Sequence, residues 1–135
     1  MAFNRDISDW DVLNVDDMDF MFTGTSSFNQ NLNSWDVSKV NSMHAMFDGK
    51  RSFNGHISDC DVSNVDNMDF MFGHAFSFNQ NLNSWDVSKV NSMCATIDIA
   101  RSFNSDLSDW DVSHVTDILH IFYESLSFDQ NLYQR

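Results

Sequence analysis

Apolar and polar positions recur along the chain with a period of 25 residues. The clearest copy spans residues 32–40, where Leu32, Trp35, Val37 and Val40 are apolar and the positions between them are polar. Trp35 and Val37 lie two residues apart, so in an extended chain their side chains share one face. So short a strand cannot bury that face alone and needs neighbouring copies. The pattern therefore predicts one short strand in each unit.

Five complete units follow one another without insertion or deletion. Their first residues are Phe3, Phe28, Phe53, Phe78 and Phe103, and a partial unit spans residues 128–135. Residues 27–43 are identical to residues 77–93, which indicates that the duplicated segment was a pair of units. Self-similarity at this period is typical of repeat architectures, in which stacked units share one core. We therefore predict a single domain over residues 1–135.

The apolar spacing changes after the last valine of each predicted strand. Val15, Met18 and Phe22 are separated by three and four residues, and later units repeat this spacing. Spacing of this kind is helical, and the segment is long enough for roughly two turns of α- or 3₁₀-helix. The sequence thus predicts an α/β repeat solenoid of leucine-rich-repeat type. Each unit would carry one short strand and one short helix, with a parallel sheet on one face.

The predicted outward strand face carries recurring aspartates. One column is unbroken and consists of Asp11, Asp36, Asp61, Asp86 and Asp111. In the column beside it, aspartate alternates with serine and occurs as Asp9, Asp59 and Asp109. Adjacent carboxylates repel by roughly 1 kcal/mol or more at surface dielectric, so something should offset that repulsion. Three interpretations stay open: hydrogen bonds from backbone or a neighbouring serine, calcium ions that bridge units, or a cationic partner.

The net charge of −13 argues against nucleic acid and anionic membranes, which both attract basic surfaces. Neither a membrane-spanning apolar run nor a signal peptide occurs in this sequence, so we predict no membrane insertion. The five histidines fall in five different columns, and no catalytic motif is present. We therefore predict no enzyme, no cofactor and no metal site.

Cys60 replaces a core tryptophan, which predicts a void in the third unit.

Residues 32–47 carry the pattern L-x-x-W-D-V-S-x-V-x-x-M-x-x-M-F, and the other units vary it, with Leu13 for serine and Cys60 for tryptophan. Together with the following Ser-Phe-Asn, this pattern resembles the BspA-like leucine-rich repeats of bacterial surface proteins over residues 3–132. The resemblance implies a ligand-binding or adhesion module at the cell surface or secreted from the cell. It brings no catalytic residues with it.

Taken together, these features predict a non-catalytic protein-interaction or adhesion module that binds a protein or other surface ligand through its acidic outward face. A purely structural spacer is the alternative. The sequence also predicts end-to-end self-association, because stacked repeats expose core at their ends unless capping units cover it. We expect the N-terminal end to associate first, since no polar cap precedes Phe3.

Overall fold

The computed structural model of the chain describes residues 2–132. Met1 and residues 133–135, which include the end of the partial unit, lie outside this range. Within it the chain forms no helix and no named strand, and each unit is a series of turns. The prediction of an α/β solenoid with a parallel sheet is therefore wrong, and so is the leucine-rich-repeat architecture that the resemblance implied. None of the described residues forms a helix able to cross a membrane.

Two turns occupy the segment for which a strand was predicted. In the first unit the Trp10 N–H donates to the Ile7 carbonyl at 3.0 Å, and the Val15 N–H donates to the Val12 carbonyl at 3.0 Å. Between them, the Leu13 N–H donates to the Asp11 carboxylate at 3.1 Å. Side chains such as aspartate offer the backbone a local partner that competes with a sheet ladder. The segment therefore bends twice and forms no ladder.

In the segment for which a helix was predicted, backbone hydrogen bonds join neighbouring units instead. The Met18 and Phe20 N–H groups donate to the carbonyls of Ser42 and His44 in the next unit, at 3.0 and 2.9 Å, whereas a helix would bond them four residues back. Isolated parallel bridges join the units here, and they are Asp17↔Ser42, Ser42↔Asn67, Asn67↔Ser92 and Ser92↔Asp117. Consecutive turns produce the spacing of three and four that resembles a helix.

Two positions in every unit adopt the left-handed backbone conformation. The first set is Phe20, Ala45, Phe70, Ala95 and His120, with φ between 52° and 59°. The second set is Gly24, Gly49, His74, Ile99 and Glu124. Only at Gly24 and Gly49 does the sequence indicate this conformation, because residues other than glycine rarely adopt it. In the first four units, the non-glycine positions donate their N–H groups to carbonyls of the next unit, as Phe20 does to His44.

The core consists of the inward aromatic and aliphatic columns that the sequence predicted. Phenylalanine rings stack from unit to unit, and the centroids of Phe28 and Phe53 lie 6.0 Å apart. The ring of Phe22, near the end of the first unit, also stacks on Phe28 at the start of the second, at 4.0 Å. Buried apolar side chains form one cluster from Ile7 to Trp110. Ring stacking between successive units therefore joins the cores of the units into one.

The predicted void in the third unit is present. Cys60 lines an apolar cavity of about 20 Å³ together with Trp35 and Trp85 from the neighbouring units. The Cys60 thiol points at the Leu32 carbonyl at 3.5 Å, where a tryptophan would place its indole N–H. Burial, with a smaller contribution from Asp59, raises the pKa of this thiol to about 11. Cys60 is therefore a partly buried, neutral thiol at physiological pH.

Candidate acidic binding face

Eight exposed aspartates form the acidic face, and they are Asp9, Asp11, Asp36, Asp59, Asp61, Asp86, Asp109 and Asp111. The unbroken column lies at the same turn in every unit. Each of its members accepts a hydrogen bond from the backbone N–H two residues later, at 3.0 to 3.1 Å. The turns thus position the column that the sequence singled out, with one carboxylate in each unit.

Serine hydroxyls add a second bond in the three central units. Ser38 Oγ donates to Asp36 at 2.5 Å, and Ser63 and Ser88 make the same bond to Asp61 and Asp86 at 2.6 Å. This geometry matches the first of the three interpretations, in which hydrogen bonds offset the repulsion within the column. Only Oδ1 of each aspartate makes these bonds, so they leave the charge of the column at the surface.

The same bonds lower the pKa of two members of the column, Asp36 and Asp86. The Ser38 hydroxyl, its backbone N–H and nearby Lys39 hold the pKa of Asp36 below its usual value. Ser88 lowers the pKa of Asp86 in the same way, while the charge of Asp111 in the next unit opposes that shift. The ionised forms of Asp36 and Asp86 are therefore favoured, and Asp86 also interacts electrostatically with its neighbour Asp111.

Asparagines of the preceding units anchor the second column, a role that the sequence reasoning missed. Asn33 Nδ2 donates to Asp59 Oδ2 at 3.3 Å, and the Asp59 N–H donates to Asn33 Oδ1 at 3.1 Å. Asn83 and Asp109 form the same reciprocal pair at 2.8 and 3.0 Å. The recurrence of Asn33 and Asn83 at a 50-residue offset was the available signal. Each pair bridges two units, so these carboxylates also stabilise the stack.

Lysines divide the acidic face into alternating bands. Lys39 and Lys89 donate to Asn14 and Asn64 of the preceding units, at 3.0 and 2.6 Å. Both lysines lie in units that carry a single aspartate on the face, whereas the first, third and fifth units carry two. Pairs of aspartates therefore recur on the face at every second unit, and the lysine ammonium groups of the intervening units bond to asparagines of two of those units.

No group of three or more carboxylate, imidazole or thiol side chains among residues 2–132 has the geometry to hold a metal ion. The calcium interpretation of the column thus has no support from the described side chains.

His74 lies off the face, where its Nδ1 is 3.3 Å from the Asp48 carboxylate. Both cysteines are free thiols.

A second feature that the sequence did not suggest lies in another column of the repeat. The guanidinium carbons of Arg51 and Arg101 lie 5.0 and 4.6 Å from the ring centre of Phe76. Such cation–π contacts stabilise the positions of both arginines. Two of the seven basic side chains are therefore held in a column of the repeat other than the two that form the acidic face.

One family model matches essentially the whole chain, over residues 1–76 and again over residues 51–135. Its description is Mycoplasma protein of unknown function, DUF285. No curated protein and no solved structure shows significant similarity to the chain.

Proposed function

We propose that this chain, which belongs to the DUF285 family of Mycoplasma proteins of unknown function, is a non-catalytic interaction module that binds a basic partner through its acidic face. The supporting observation is the unbroken aspartate column. Its members are exposed, and local hydrogen bonds hold each of them in one orientation. Carboxylates that are already oriented lose little conformational entropy when a partner binds.

The charge pattern indicates what kind of partner the face would take. A net charge of −13 attracts cations over long range, and the face concentrates part of that charge on one side. Its pairs of aspartates recur at every second unit, a spacing that suits an extended segment with repeated lysine or arginine residues. Binding of this kind is steered by electrostatics and weakens as salt increases.

Matched charge variants test the proposal. Replacing Asp36, Asp61 and Asp86 together by asparagine removes three charges from the face and keeps the Oδ1 acceptor that each turn uses. Replacing Asp16, Asp66 and Asp129 by asparagine removes three charges from exposed sites outside the face. We expect oligolysine to bind the wild-type chain, to bind the control variant nearly as well, and to bind the face variant much more weakly. Equal loss in both variants would mean that net charge alone attracts the peptide.

A structural spacer is the second candidate function. It is favoured by the observation that the same aspartates already bond their own turns and, in Asp59 and Asp109, bridge adjacent units. A spacer would bind oligolysine weakly or not at all, and the face variant would keep its stability or gain some through reduced repulsion. Thermal unfolding of the face variant, measured beside the binding titration, separates the two functions.

The location at the cell surface or outside the cell, which the resemblance to BspA-like proteins implies, is part of the same proposal. An acidic interaction face suits a location where basic partners are present. Protease treatment of intact cells, followed by detection of the chain, tests this location. Complete protection from the protease would contradict it.

A further inference from the structure

Two arginines and the phenylalanine between them form a basic cluster in the middle of the stack. The basic cluster consists of Arg51, Phe76 and Arg101, which hold one repeat position in the second, third and fourth units. The two guanidinium carbons lie 5.0 and 4.6 Å from the ring centre of Phe76. Backbone bonds between units fix this order, because the Ser77 and Ser102 N–H groups donate to the carbonyls of Arg51 and Phe76, at 3.1 and 3.2 Å. Positive, apolar and positive side chains therefore follow one another along the stack.

The N–H donors of both guanidinium groups are open to a partner. A guanidinium over an aromatic face keeps its donors in its own plane, where their geometry matches a carboxylate. Both arginines are exposed, and neither guanidinium forms a hydrogen bond or an ion pair with another residue of the range 2–132, although the chain has 20 acidic residues. Asp48, which precedes Arg51 by three residues, contacts His74 instead, and Asp98, which precedes Arg101 by three residues, is only 8% exposed. The cluster thus presents two oriented cations.

The second aspartate column of the acidic face carries the complementary pattern. Asp59, Ser84 and Asp109 hold one repeat position in the third, fourth and fifth units, and all three are exposed. The reciprocal pairs with Asn33 and Asn83 hold the two carboxylates in place. Negative, neutral and negative side chains therefore follow one another, and the two charges are separated by two units, as they are in the basic cluster. Because one repeat sets both spacings, two arginines can meet two aspartates at once.

The unbroken aspartate column is a poorer match for the basic cluster. It places a carboxylate in every unit, as in Asp36, Asp61 and Asp86. With both arginines paired to Asp36 and Asp86, the ring of Phe76 would cover Asp61, and a carboxylate covered by an apolar group loses hydration without gaining a donor. Ser84 places a neutral side chain at the corresponding point of the second column. The ring between the arginines therefore favours the second column.

We propose that the basic cluster of one copy of this chain docks on the second aspartate column of another copy. When the two stacks run in the same direction, Arg51 and Arg101 pair with Asp59 and Asp109 of the second copy, and Phe76 lies over its Ser84. The proposal rests on the function proposed for the acidic face and names a second copy as the partner of that face. The contact is lateral and heterologous, so each copy can bind one neighbour through its cluster and another through its face.

The net charge keeps this association weak. Both copies carry −13, so long-range repulsion opposes the contact. At physiological ionic strength the Debye length is about 8 Å, so salt screens that repulsion more than it screens ion pairs in direct contact. Exposed ion pairs contribute little individually. We therefore expect assembly in physiological salt and only at high protein concentration. The end-to-end association that the sequence predicted is a separate contact and stays a prediction.

Variants that disable one surface each test the proposal. The cluster variant combines Arg51→Gln with Arg101→Gln, and the column variant combines Asp59→Asn with Asp109→Asn, which keeps an acceptor for Asn33 and Asn83. By sedimentation, the wild-type chain should grow with concentration, and each variant alone should stay monomeric. Their equimolar mixture should form a 1:1 dimer that grows no further, because only one intact cluster meets one intact column. A wild-type chain that is monomeric at the highest concentration, or a mixture without dimers, would overturn the proposal.

The column variant also separates a specific contact from a general effect of charge. It carries two fewer negative charges than the wild-type chain, so net charge alone would make it associate more strongly. Asp16→Asn combined with Asp66→Asn is the matched control, because it removes two exposed charges, also two units apart, outside the face. This control should associate at least as well as the wild-type chain. Stronger association of the column variant, or an equal loss in the control, would contradict docking on the second column.

Oligolysine separates this contact from the function proposed for the face. The peptide should bind the cluster variant as well as it binds the wild-type chain, because the acidic face is intact in both. It should also dissociate wild-type assemblies, since it competes for that face, and assemblies that persist in saturating oligolysine would overturn the proposed contact. Oligolysine binding by a wild-type chain that never self-associates would remove the second copy as the partner and leave the function of the face standing. Melting temperatures verify that every variant is folded.

Discussion

The indole N–H of Trp35 donates to the carbonyl of Ile7, one unit earlier in the stack, at 2.9 Å. Trp85 and Trp110 repeat the bond to Ile57 and Leu82, at 3.1 and 2.8 Å. Each of these tryptophans thus fills the core and satisfies a buried carbonyl of the preceding unit. The bond explains why an aromatic residue with a donor suits this column better than phenylalanine.

Trp35 should therefore be far more important for stability than Trp10, although both belong to one column. Trp35→Ala should lower the free energy of unfolding by about 3–5 kcal/mol, the range for large aromatic truncations. Trp35→Phe should lower it by about 1–3 kcal/mol, because the Ile7 carbonyl loses its donor. Trp10→Ala, at a residue that is 52% exposed, should cost no more than about 1 kcal/mol. Urea denaturation measures the loss of unfolding free energy in all three variants. Equal losses for Trp10→Ala and Trp35→Ala would contradict the expectation that Trp35 matters more for stability.

Filling the cavity beside Cys60 should stabilise the third unit. At about 24 cal/mol for each Å³, a void of about 20 Å³ costs about 0.5 kcal/mol, which Cys60→Val should partly recover. Cys60→Trp adds much more bulk than the void holds, so overpacking should cost about 1–3 kcal/mol, which is still less than the loss from Trp35→Ala. Denaturant unfolding tests both outcomes. The midpoints are compared between variants that share the same dependence of unfolding free energy on denaturant concentration. A stabilising Cys60→Trp would show that neighbouring side chains relax readily.

The carboxylate of Asp98 should make stability depend on pH. Asp98 Oδ1 is buried without a hydrogen-bond partner among the described residues, and burial raises its pKa. The folded chain therefore holds this proton more tightly than the unfolded chain, so the contribution of Asp98 to stability declines as pH rises above about 4. Asp98→Asn should raise the free energy of unfolding at pH 7 by up to about 1 kcal/mol, and the melting temperature should rise with it. This gain should shrink as the pH is lowered.

Asp48→Asn is the matched control, because Asp48 lies 50 residues earlier in the same column and is partly exposed beside His74. We expect this variant to gain nothing at pH 7. A gain as large as that of Asp98→Asn would point to general charge reduction instead of burial.

The second left-handed column allows a direct test of backbone strain. Gly49 has φ 71°, and no atom lies within 4 Å of an added Cβ, so Gly49→Ala should destabilise through conformation alone, by about 1 kcal/mol. Ile99 holds the equivalent conformation at φ 53° with a β-branched side chain. Ile99→Gly should relieve that strain, although it also loses some apolar contact. Thermal unfolding should show a smaller loss for Ile99→Gly than for Gly49→Ala, and the reverse order would mean that packing of Ile99 outweighs its strain.

The 25-residue period, the inward columns and the void at Cys60 were all predictable from the sequence. Burial depends on which positions are apolar in every unit, and the exact repetition made those positions plain. The aspartate column was predictable for the same reason. The reciprocal pairs of Asn33 with Asp59 and of Asn83 with Asp109 were not, because they depend on the side-chain geometry between adjacent units.

The sequence by itself therefore determined which residues face inward, which carry charge outward and how often each recurs. Only the tertiary structure decided the backbone path between them. Apolar residues three and four apart satisfy a helix, but they satisfy consecutive turns equally well. The choice depended on where Met18, Phe20 and their equivalents found acceptors, and the next unit supplied carbonyls at about 3 Å. Left-handed residues such as Phe20 and Ala45, which no local preference predicts, are held in place by those bonds between units.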